Sequence, residues 1–335
     1  MDSLNLSDTG LQILPDLSSL SIKCLDAAWN SISIMWEGTL PLDIEELNLE
    51  GNKIVTDGLL AIWPATLTTI NLSKNYFWSL DHVLDWPPNL RVLNLSGSEL
   101  AMLNCAALPG SLEELDISHT RITTLSSFPE NLKKFVAINT LLKTLPSRCP
   151  DTLENFTFSG SRGKLSRNSL PSNWGNSLKH LDLNSNGLQQ IPNSLPATLE
   201  YANFSNNFIQ VIPPIEKFPQ GLHLLHLGNN RIRVIPSWLL DRYRMKFTIH
   251  NNLLTVNPNC SHCLIFFPQF IGEKYHRSAK KIQRAWRRQR QHPPLRTWKR
   301  TRIIKEDLLA LAMSPARAGR FENISPDWTY RYAGP

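Results

Sequence analysis

The apolar residues of this chain recur at a fixed spacing along most of its length. Between Leu178 and Pro192 the residues follow the pattern LxxLxLxxNxLxxLP, in which Leu181 and Leu183 are two residues apart. Side chains two residues apart share one face of a strand, so the pattern predicts a short strand with one apolar face. Asn186 follows three residues later, where the chain must turn. Such a unit cannot bury its apolar face alone and needs copies of itself on either side.

Twelve copies of the unit align on the turn position, with an average step of about 22 residues. The turn position is occupied by Thr9, Asn30, Asn52, Asn75, Ser98, Thr120, Thr140, Ser161, Asn186, Asn207, Asn230 and Asn252. An asparagine amide both donates and accepts hydrogen bonds, whereas a hydroxyl has one donor. We therefore expect the middle units, which carry Ser or Thr, to be less regular. The longest step, from Ser161 to Asn186, predicts that residues 166–177 loop out around Trp174.

Residues 1–257 resemble a leucine-rich repeat protein. Proline stands three residues before the first leucine in many units, a PxxL spacing that is similar to the short repeats of bacterial effector proteins. The resemblance implies an α/β repeat solenoid: a leucine-rich repeat horseshoe with a parallel concave β-sheet and a mostly irregular convex side. A polyproline-like convex segment suits this spacing, because proline lacks an N–H and fixes φ.

The residues that flank the strand leucines face the concave side, and in two tracks they are mostly Asn, Asp and Ser. Val136 and Ile138 in unit seven interrupt both tracks with β-branched apolar side chains. Protein interfaces commonly have an apolar centre and a polar rim. We therefore predict that a protein partner binds the concave face at unit seven; simple degeneracy of this unit is the alternative. The predicted rim consists of Asp116, Ser118, His119, Lys134, Asn155 and Thr157.

The same tracks contain Asn-x-Ser sequons, such as Asn71–Ser73 and Asn94–Ser96. Because the repeat itself places Asn and Ser at alternate strand positions, we interpret these sequons as a polar ladder on the sheet.

The composition changes after the repeats. Residues 258–335 hold 16 Lys and Arg against 5 Asp and Glu, a net charge of +11, whereas residues 1–257 hold 19 against 23, a net charge of −4. The domain boundaries that we predict are a solenoid at 1–257, a cap at 258–272, a basic amphipathic helix at 273–292 and a basic tail at 293–335, with a short helix at 303–313. The fold therefore includes a helical C-terminal extension.

Within the predicted basic helix, residues 279–287 resemble the first half of an IQ motif, the helix that binds calmodulin and related EF-hand light chains. Ile282, Gln283 and Arg287 match the motif, whereas Arg288 replaces its usual glycine and His292 its last basic residue. The resemblance implies that a calmodulin-like protein contacts Ala279, Ile282, Gln283, Trp286 and Arg287. A basic amphipathic helix is also typical of segments that bind nucleic acid or an acidic membrane, and of solvated helices packed on a neighbouring domain.

The sequence contains no motif for nucleophilic catalysis, phosphate binding or zinc-dependent hydrolysis. Cys260 and Cys263 form one CxxC pair without the second pair of a closed zinc site, so we predict no metal and no cofactor. Effector-type ubiquitin ligases append a large domain with a nucleophilic cysteine, and fewer than eighty residues follow the repeats here. We therefore expect a non-enzymatic interaction scaffold. The sequence has five cysteines and no apparent secretory signal, so we expect an intracellular, cytoplasmic protein. If its source is a pathogen or a virus, we expect it in the host cell.

Overall fold

A single parallel sheet runs through the computed structural model, which describes residues 2–80, 83, 85–161, 169–236, 238–239 and 245–254. Its twelve strands pair in chain order, each with the next. The strands are β1 Ser3–Asn5, β2 Cys24–Asp26, β3 Glu46–Asn48, β4 Thr69–Asn71, β5 Val92–Asn94, β6 Glu114–Asp116, β7 Lys134–Ile138, β8 Asn155–Ser159, β9 His180–Asp182, β10 Tyr201–Asn203, β11 Leu224–His226 and β12 Lys246–Thr248. The predicted parallel solenoid, with one strand in each unit, is confirmed.

The period-two pattern of each unit decides which side chains enter the core. In β4, Ile70 is fully buried between its register partners Leu47 and Leu93. Leu72, two residues further on, is also fully buried. Repeating this alternation in every unit stacks the apolar side chains into one continuous column, in which each unit covers the apolar surface of the next.

The turn asparagine connects each unit to the preceding one through its side chain. The Nδ2 atom of Asn75 donates to the carbonyls of Leu49 at 3.0 Å, Leu72 at 3.0 Å and Ser73 at 3.2 Å. Its Oδ1 accepts from the backbone N–H of Ile54 at 3.0 Å. Donation and acceptance across the unit boundary recur at Asn30, Asn52, Asn207, Asn230 and Asn252. The asparagine thus satisfies backbone groups that the end of a strand leaves unpaired.

The middle units carry Ser or Thr at the turn position and lack this connection, as the sequence predicts. Ser98 and Thr120 each donate one hydrogen bond of 2.7 Å to a carbonyl of their own unit. The Thr140 hydroxyl is buried and has no hydrogen-bond partner among the described residues. Inter-unit bridging by the turn side chain is therefore weakest in the centre of the solenoid.

Among the described residues, the convex wall is mostly irregular, with short 3₁₀ helices that include η1 Thr56–Gly58, η2 Cys105–Ala107 and η3 Ile215–Lys217. An apolar residue stands directly before most of the PxxL prolines and packs inward, as Trp63, Phe128 and Cys149 do. Trp63 and Trp86 stack with their ring centroids 6.1 Å apart. This row of apolar residues closes the core on the side opposite the sheet.

The prediction that residues 166–177 loop out around Trp174 is wrong for the part that the structure describes. Trp174 is 2% exposed and occupies the inward row, and the chain beside it pairs with the previous unit through an Arg148–Asn173 bridge. Gly175 replaces the usual proline with φ of +75°, and a Cβ there would lie 2.4 Å from the Pro150 carbonyl oxygen. Because the convex segments of these two neighbouring units approach each other so closely, this position requires glycine.

The C-terminal predictions fall outside the described residues. They comprise the end of the solenoid after residue 254, the cap at 258–272, the basic helix at 273–292, the tail at 293–335 and the IQ-like residues. The helical C-terminal extension stays a prediction for that reason.

We predict that Asn75→Ala lowers the free energy of unfolding by about 1–3 kcal/mol, because it leaves buried backbone groups without partners. Asn131→Ala is the matched control: Asn131 also reaches the preceding unit, donating to the Gly110 carbonyl at 2.7 Å, but it is exposed. Its effect should stay within about 0.5 kcal/mol. Urea denaturation followed by circular dichroism measures both. Equal effects would show that water satisfies the groups around Asn75.

Candidate functional site

The concave surface ends in a row of residues with an unusual backbone conformation. In all twelve units the residue before the turn position has a positive φ, between 52° and 71°. Three of these residues are Gly51, Gly97 and Gly160, and most of the others are Asn, Asp or Ser, which adopt this conformation more readily than bulky residues do. The repeat therefore imposes a left-handed turn at each strand end, and the side chain there projects from the concave rim.

The polar track of Asn and Asp on the sheet has a structural role in eight units. Each Oδ1 accepts the backbone N–H two residues later at 2.8–3.1 Å. This contact turns the chain away from the strand and is a local side-chain alternative to ladder pairing. The sequon asparagines Asn71 and Asn94 are among these residues, so their interpretation as a polar ladder agrees with the contacts.

Units seven and eight differ because Val136 and Thr157 have no carboxamide or carboxylate oxygen to make that contact. Their strands β7 and β8 continue for five residues, and the added register pairs are Ala137 with Phe158 and Ile138 with Ser159. His226 and Thr248 also lack the contact, yet β11 and β12 keep three residues, so pairing between two extended neighbours also contributes. The sheet is therefore widest where the sequence predicts the binding centre.

The structure places the predicted centre on the concave face in the expected register. Phe135 and Ala137 are fully buried, whereas Val136 and Ile138 point outward and are half-buried. Asp116 and Thr157 are the register partners of Val136 on the strands to either side. The apolar pair is thus flanked by polar groups.

The remaining predicted rim residues have different environments. His119 is exposed at a left-handed position, and Lys134 is exposed and pairs with Glu114 at 2.8 Å. Asn155 is half-buried and lies opposite Lys134. Ser118 is 4% exposed, and its hydroxyl accepts the Ile138 N–H at 3.0 Å. Seven of the eight predicted residues therefore reach the surface, while Ser118 supports the backbone of β7 from below.

An aromatic cluster lies directly beneath this surface. Phe135 and Phe156, with ring centroids 5.4 Å apart, occupy strand positions where most other units carry Leu or Ile. Phe128 makes an edge contact with Phe135 at 5.0 Å, and Trp174 makes one with Phe156 at 5.4 Å. Interlocked rings have few alternative packings. We infer that they hold β7 and β8 rigidly although units seven and eight carry Thr140 and Ser161 in place of a turn asparagine. From unit nine, Asn186 Nδ2 donates to the Phe158 carbonyl of β8 at 2.6 Å.

A second surface, not predicted from the sequence, lies on units one to three. Trp29 occupies a left-handed position with φ of 57° and is 54% exposed. Lys74 places its Nζ 4.5 Å from the centre of a Trp29 ring. Aligning the residue before the turn in all units would have revealed a tryptophan in a row that otherwise carries small, polar or charged residues.

A third surface group lies near the C-terminal end of the described sheet. The rings of His180 and Tyr201 have centroids 5.9 Å apart, and those of Tyr201 and His226 lie 5.5 Å apart. Burial raises the pKa of Tyr201, so its hydroxyl stays protonated at neutral pH. This row packs across three neighbouring strands and stiffens that part of the concave face.

The three described cysteines are free thiols, Cys24, Cys105 and Cys149. Burial raises the pKa of Cys105 and of Cys149 to about 12. Burial, followed by the charge of Glu46, also raises the pKa of Cys24. A nucleophilic cysteine needs a lowered pKa, so these thiols are poor nucleophiles. Within the described ranges, no cluster of His, Cys, Asp and Glu is arranged to hold a metal ion, and no helix has the length and apolarity to span a membrane.

With this geometry, the chain can be compared with known proteins. The Leucine Rich Repeat family profile matches residues 111–135 and 177–197. The chain is 26% identical to chicken Toll-like receptor 2 type-2 over 276 residues, which are 82% of this chain and 32% of the receptor. It is 31% identical to rat osteomodulin over 205 residues, 59% of this chain and 44% of osteomodulin. The chain therefore spans less than half the length of these relatives.

Solved structures share the architecture. YopM from Yersinia enterocolitica WA-314 superimposes with a TM-score of 0.53 at 24% identity, covering 70% of this chain and 48% of YopM. The TLR13–ssRNA13 complex gives a TM-score of 0.56 at 18% identity, covering 80% and 42%. At this identity the likeness concerns the fold. The protein is a parallel β-solenoid, and its solenoid is built from leucine-rich repeats.

We predict that Cys105 and Cys149 resist alkylation by iodoacetamide at pH 8 in the folded protein and react only in denaturant. Both thiols are buried, and the pKa of each, at about 12, leaves almost no thiolate at this pH. Cys24 is half-buried and serves as the internal comparison. Peptide mass spectrometry separates the sites. Fast labelling of Cys105 in native protein would mean that the convex wall around η2 opens.

Proposed function

We propose that this protein is a non-enzymatic scaffold that binds a protein partner on the concave face of its solenoid, centred on unit seven. The observation that carries the proposal is the side-by-side extension of β7 and β8, which presents Val136 and Ile138 outward from the widest part of the sheet. Concave surfaces of solenoids are the usual binding surfaces of this architecture.

The chemistry around this pair suits a protein interface. Apolar side chains at the centre provide desolvation, while charged groups at the edge provide specificity. Asp116 and the Lys134–Glu114 ion pair supply charges of both signs beside Val136. A rigid aromatic layer below limits the loss of conformational freedom on binding. A structural neighbour with a TM-score of 0.56 is, by its title, a complex of LRIM1 with APL1C.

We further propose that residues 273–292 bind a calmodulin-like EF-hand protein through Ala279, Ile282, Gln283, Trp286 and Arg287. The support is the sequence itself, in which an IQ-like apolar and basic pattern ends before Pro293 and Pro294. The competing function for this segment is charge-driven binding to nucleic acid or an acidic membrane. The TLR13 structure, a structural neighbour, is by its title a complex with ssRNA, which motivates testing this alternative.

The proposal keeps two further predictions from the sequence. The PxxL spacing supports assignment to the short, effector-like class of repeats. Free thiols at Cys24, Cys105 and Cys149 support a reducing, cytoplasmic compartment.

We predict that replacing Val136 and Ile138 together with Ser weakens partner binding by about 1–2 kcal/mol for each residue, the usual contribution of an apolar anchor. Stability should change little, because neither side chain is part of the buried core. The measurement is the affinity of the full chain for a partner purified from a lysate pull-down, with thermal melting alongside.

The matched control is Val92→Ser, which removes a half-buried valine from the same sheet at the start of β5, outside unit seven. If the double variant binds and melts like the native protein, unit seven is a degenerate repeat and the binding centre lies elsewhere.

We predict that a peptide of residues 274–292 binds calmodulin and that Ile282→Asp abolishes binding, because the charge falls on the apolar face of the helix. Gln291→Asp adds the same charge on the opposite face and should leave binding nearly intact. Titration with and without calcium measures both. Loss of binding in salt together with indifference to Ile282→Asp would identify an electrostatic binder of nucleic acid or lipid instead.

A further inference from the structure

Trp29 occupies the left-handed rim position, which most other units fill with glycine or a small polar residue. Its φ of 57° lies in the left-handed region, where a bulky residue is strained. The ring is also 54% exposed to solvent. Strained residues that persist in native structures cluster at binding and catalytic sites. A strained tryptophan that is exposed on the concave rim is therefore a candidate contact for a ligand.

The following unit is shaped to receive this ring. A Cβ at Gly51 would lie 2.7 Å from a carbon of the Trp29 ring, so only glycine fits beneath it. Lys74 then reaches across Gly51 and places its ammonium 4.5 Å from the ring centre. The electron-rich face of an indole attracts cations, and the chain's own lysine shows that a cation can reach this ring.

Four carboxylates project from the concave face of the same units, one to three. Asp8 precedes Trp29 on the rim, and Asp26 and Glu46 project from β2 and β3 below it. Among the described residues, Asp8, Asp26 and Glu46 form no ion pair with Lys or Arg. Glu50 pairs with Lys74 at 2.7 Å. We name Trp29, Asp8, Asp26, Glu46 and Glu50 the acidic tryptophan patch.

We infer that the acidic tryptophan patch is the docking surface of this chain's own basic segment, residues 274–292, within the same molecule. This segment contains eight Lys and Arg and no Asp or Glu. Arginine in particular pairs with carboxylates and stacks on aromatic rings through one planar group. The inference does not rest on the binding surface at unit seven.

The length of the chain permits this contact. The described sheet ends with β12, ten strand spacings from β2. At about 4.8 Å for each spacing, that distance is about 48 Å along the sheet. Eighteen residues, 255–272, connect the end of the described solenoid to residue 273, and an extended chain of that length spans about 60 Å. The basic segment can therefore reach the patch in the same molecule when residues 255–272 run extended along the sheet, a path that excludes the compact cap predicted at 258–272.

The half of the concave face that is closer to the basic segment along the chain, units seven to twelve, is a poorer match for that segment. In units seven to twelve, the strand starts, the two outward tracks and the left-handed rim positions carry Lys134 and Lys246 against one carboxylate, Asp182, among the described residues. Histidine rings occupy several of the other positions. A basic segment gains nothing electrostatically there, whereas units one to three offer four carboxylates and an exposed aromatic ring.

Zero-length carbodiimide cross-linking of the full chain tests the inference, since it joins lysine amines only to carboxylates that they contact. In the monomer band, Lys280 and Lys281 should be joined to Glu50, Glu46 or Asp8, and the cross-links should disappear in 0.5 M salt because surface charges are then screened. Trp29→Ala, which removes no carboxylate, should lower their yield about two- to fivefold, the effect of one exposed cation–aromatic contact.

Matched variants separate docking from general effects. Trp36→Ala removes a tryptophan that is 56% exposed on the convex side of the same unit and should leave the cross-links unchanged. Asp8→Asn with Glu46→Gln should speed tryptic cleavage after Arg284 and Arg287 about fivefold, the effect of two exposed ion pairs. Glu37→Gln with Asp57→Asn, on the convex side, should not. Circular dichroism confirms that each variant is folded.

Three results would overturn the inference. Cross-links confined to dimers would show that the segment docks on another molecule. Cross-links spread over carboxylates of all units would show nonspecific attraction. A yield that is indifferent to Trp29→Ala would show that the tryptophan plays no part.

Discussion

The hydrogen bonds of the turn asparagine connect the units of this solenoid, and much of the structure depends on them. A strand of three residues makes few ladder hydrogen bonds of its own, and the chain then turns sharply into a wall with little regular structure. Asn75 stabilises both the strand end and the turn, because its Nδ2 donates to carbonyls of two units and its Oδ1 accepts the N–H of Ile54. No side chain with a single hydroxyl can do the same.

The middle units show what replaces the asparagine bridge. The Ser98 and Thr120 hydroxyls donate within their own units, and the Thr140 hydroxyl finds no partner among the described residues. In units seven and eight the strands lengthen, and Leu and Ile in the core give way to Phe135, Phe156 and the rings around them. Packing and ladder hydrogen bonds thus substitute for side-chain bridging, and the wider sheet gives outward-facing apolar residues a rigid base.

Most of the fold could be predicted from the sequence, because each unit repeats one physical requirement. The number of strands, their parallel order and the inward register of Phe135 and Ala137 all follow from the period of two within each strand and about 22 between units. The prediction for Trp174 was wrong because this residue belongs to the row of apolar residues that stand directly before the proline position of each unit. The PxxL pattern does not include that row. The pattern also does not predict Gly175, where glycine is required because a Cβ would lie too close to the Pro150 carbonyl oxygen.

The candidate sites were harder to predict, because exposure and pairing depend on neighbouring units. Ser118 is in the outward track by its position, yet the added length of β7 brings the Ile138 N–H onto its hydroxyl and buries it. The side chain of Trp29 acquires its setting only from Gly51 and Lys74, one and two units away. Such contacts link residues about 22 and 45 positions apart, beyond the reach of a pattern read within one unit.

The left-handed rim position explains how a regular solenoid can carry surfaces of different chemistry. Its backbone conformation is imposed in every unit by the turn and by hydrogen bonds to the next strand, such as Trp29 N–H to the Glu50 carbonyl at 2.7 Å. The fold therefore tolerates Asp8, Trp29, Lys74 and His119 at equivalent places without a change of path. Because the backbone is held by its neighbours, an unfavourable residue strains one position rather than the sheet. Side chains at this rim can vary independently of the core, and the chemistry of the concave face can change from one unit to the next.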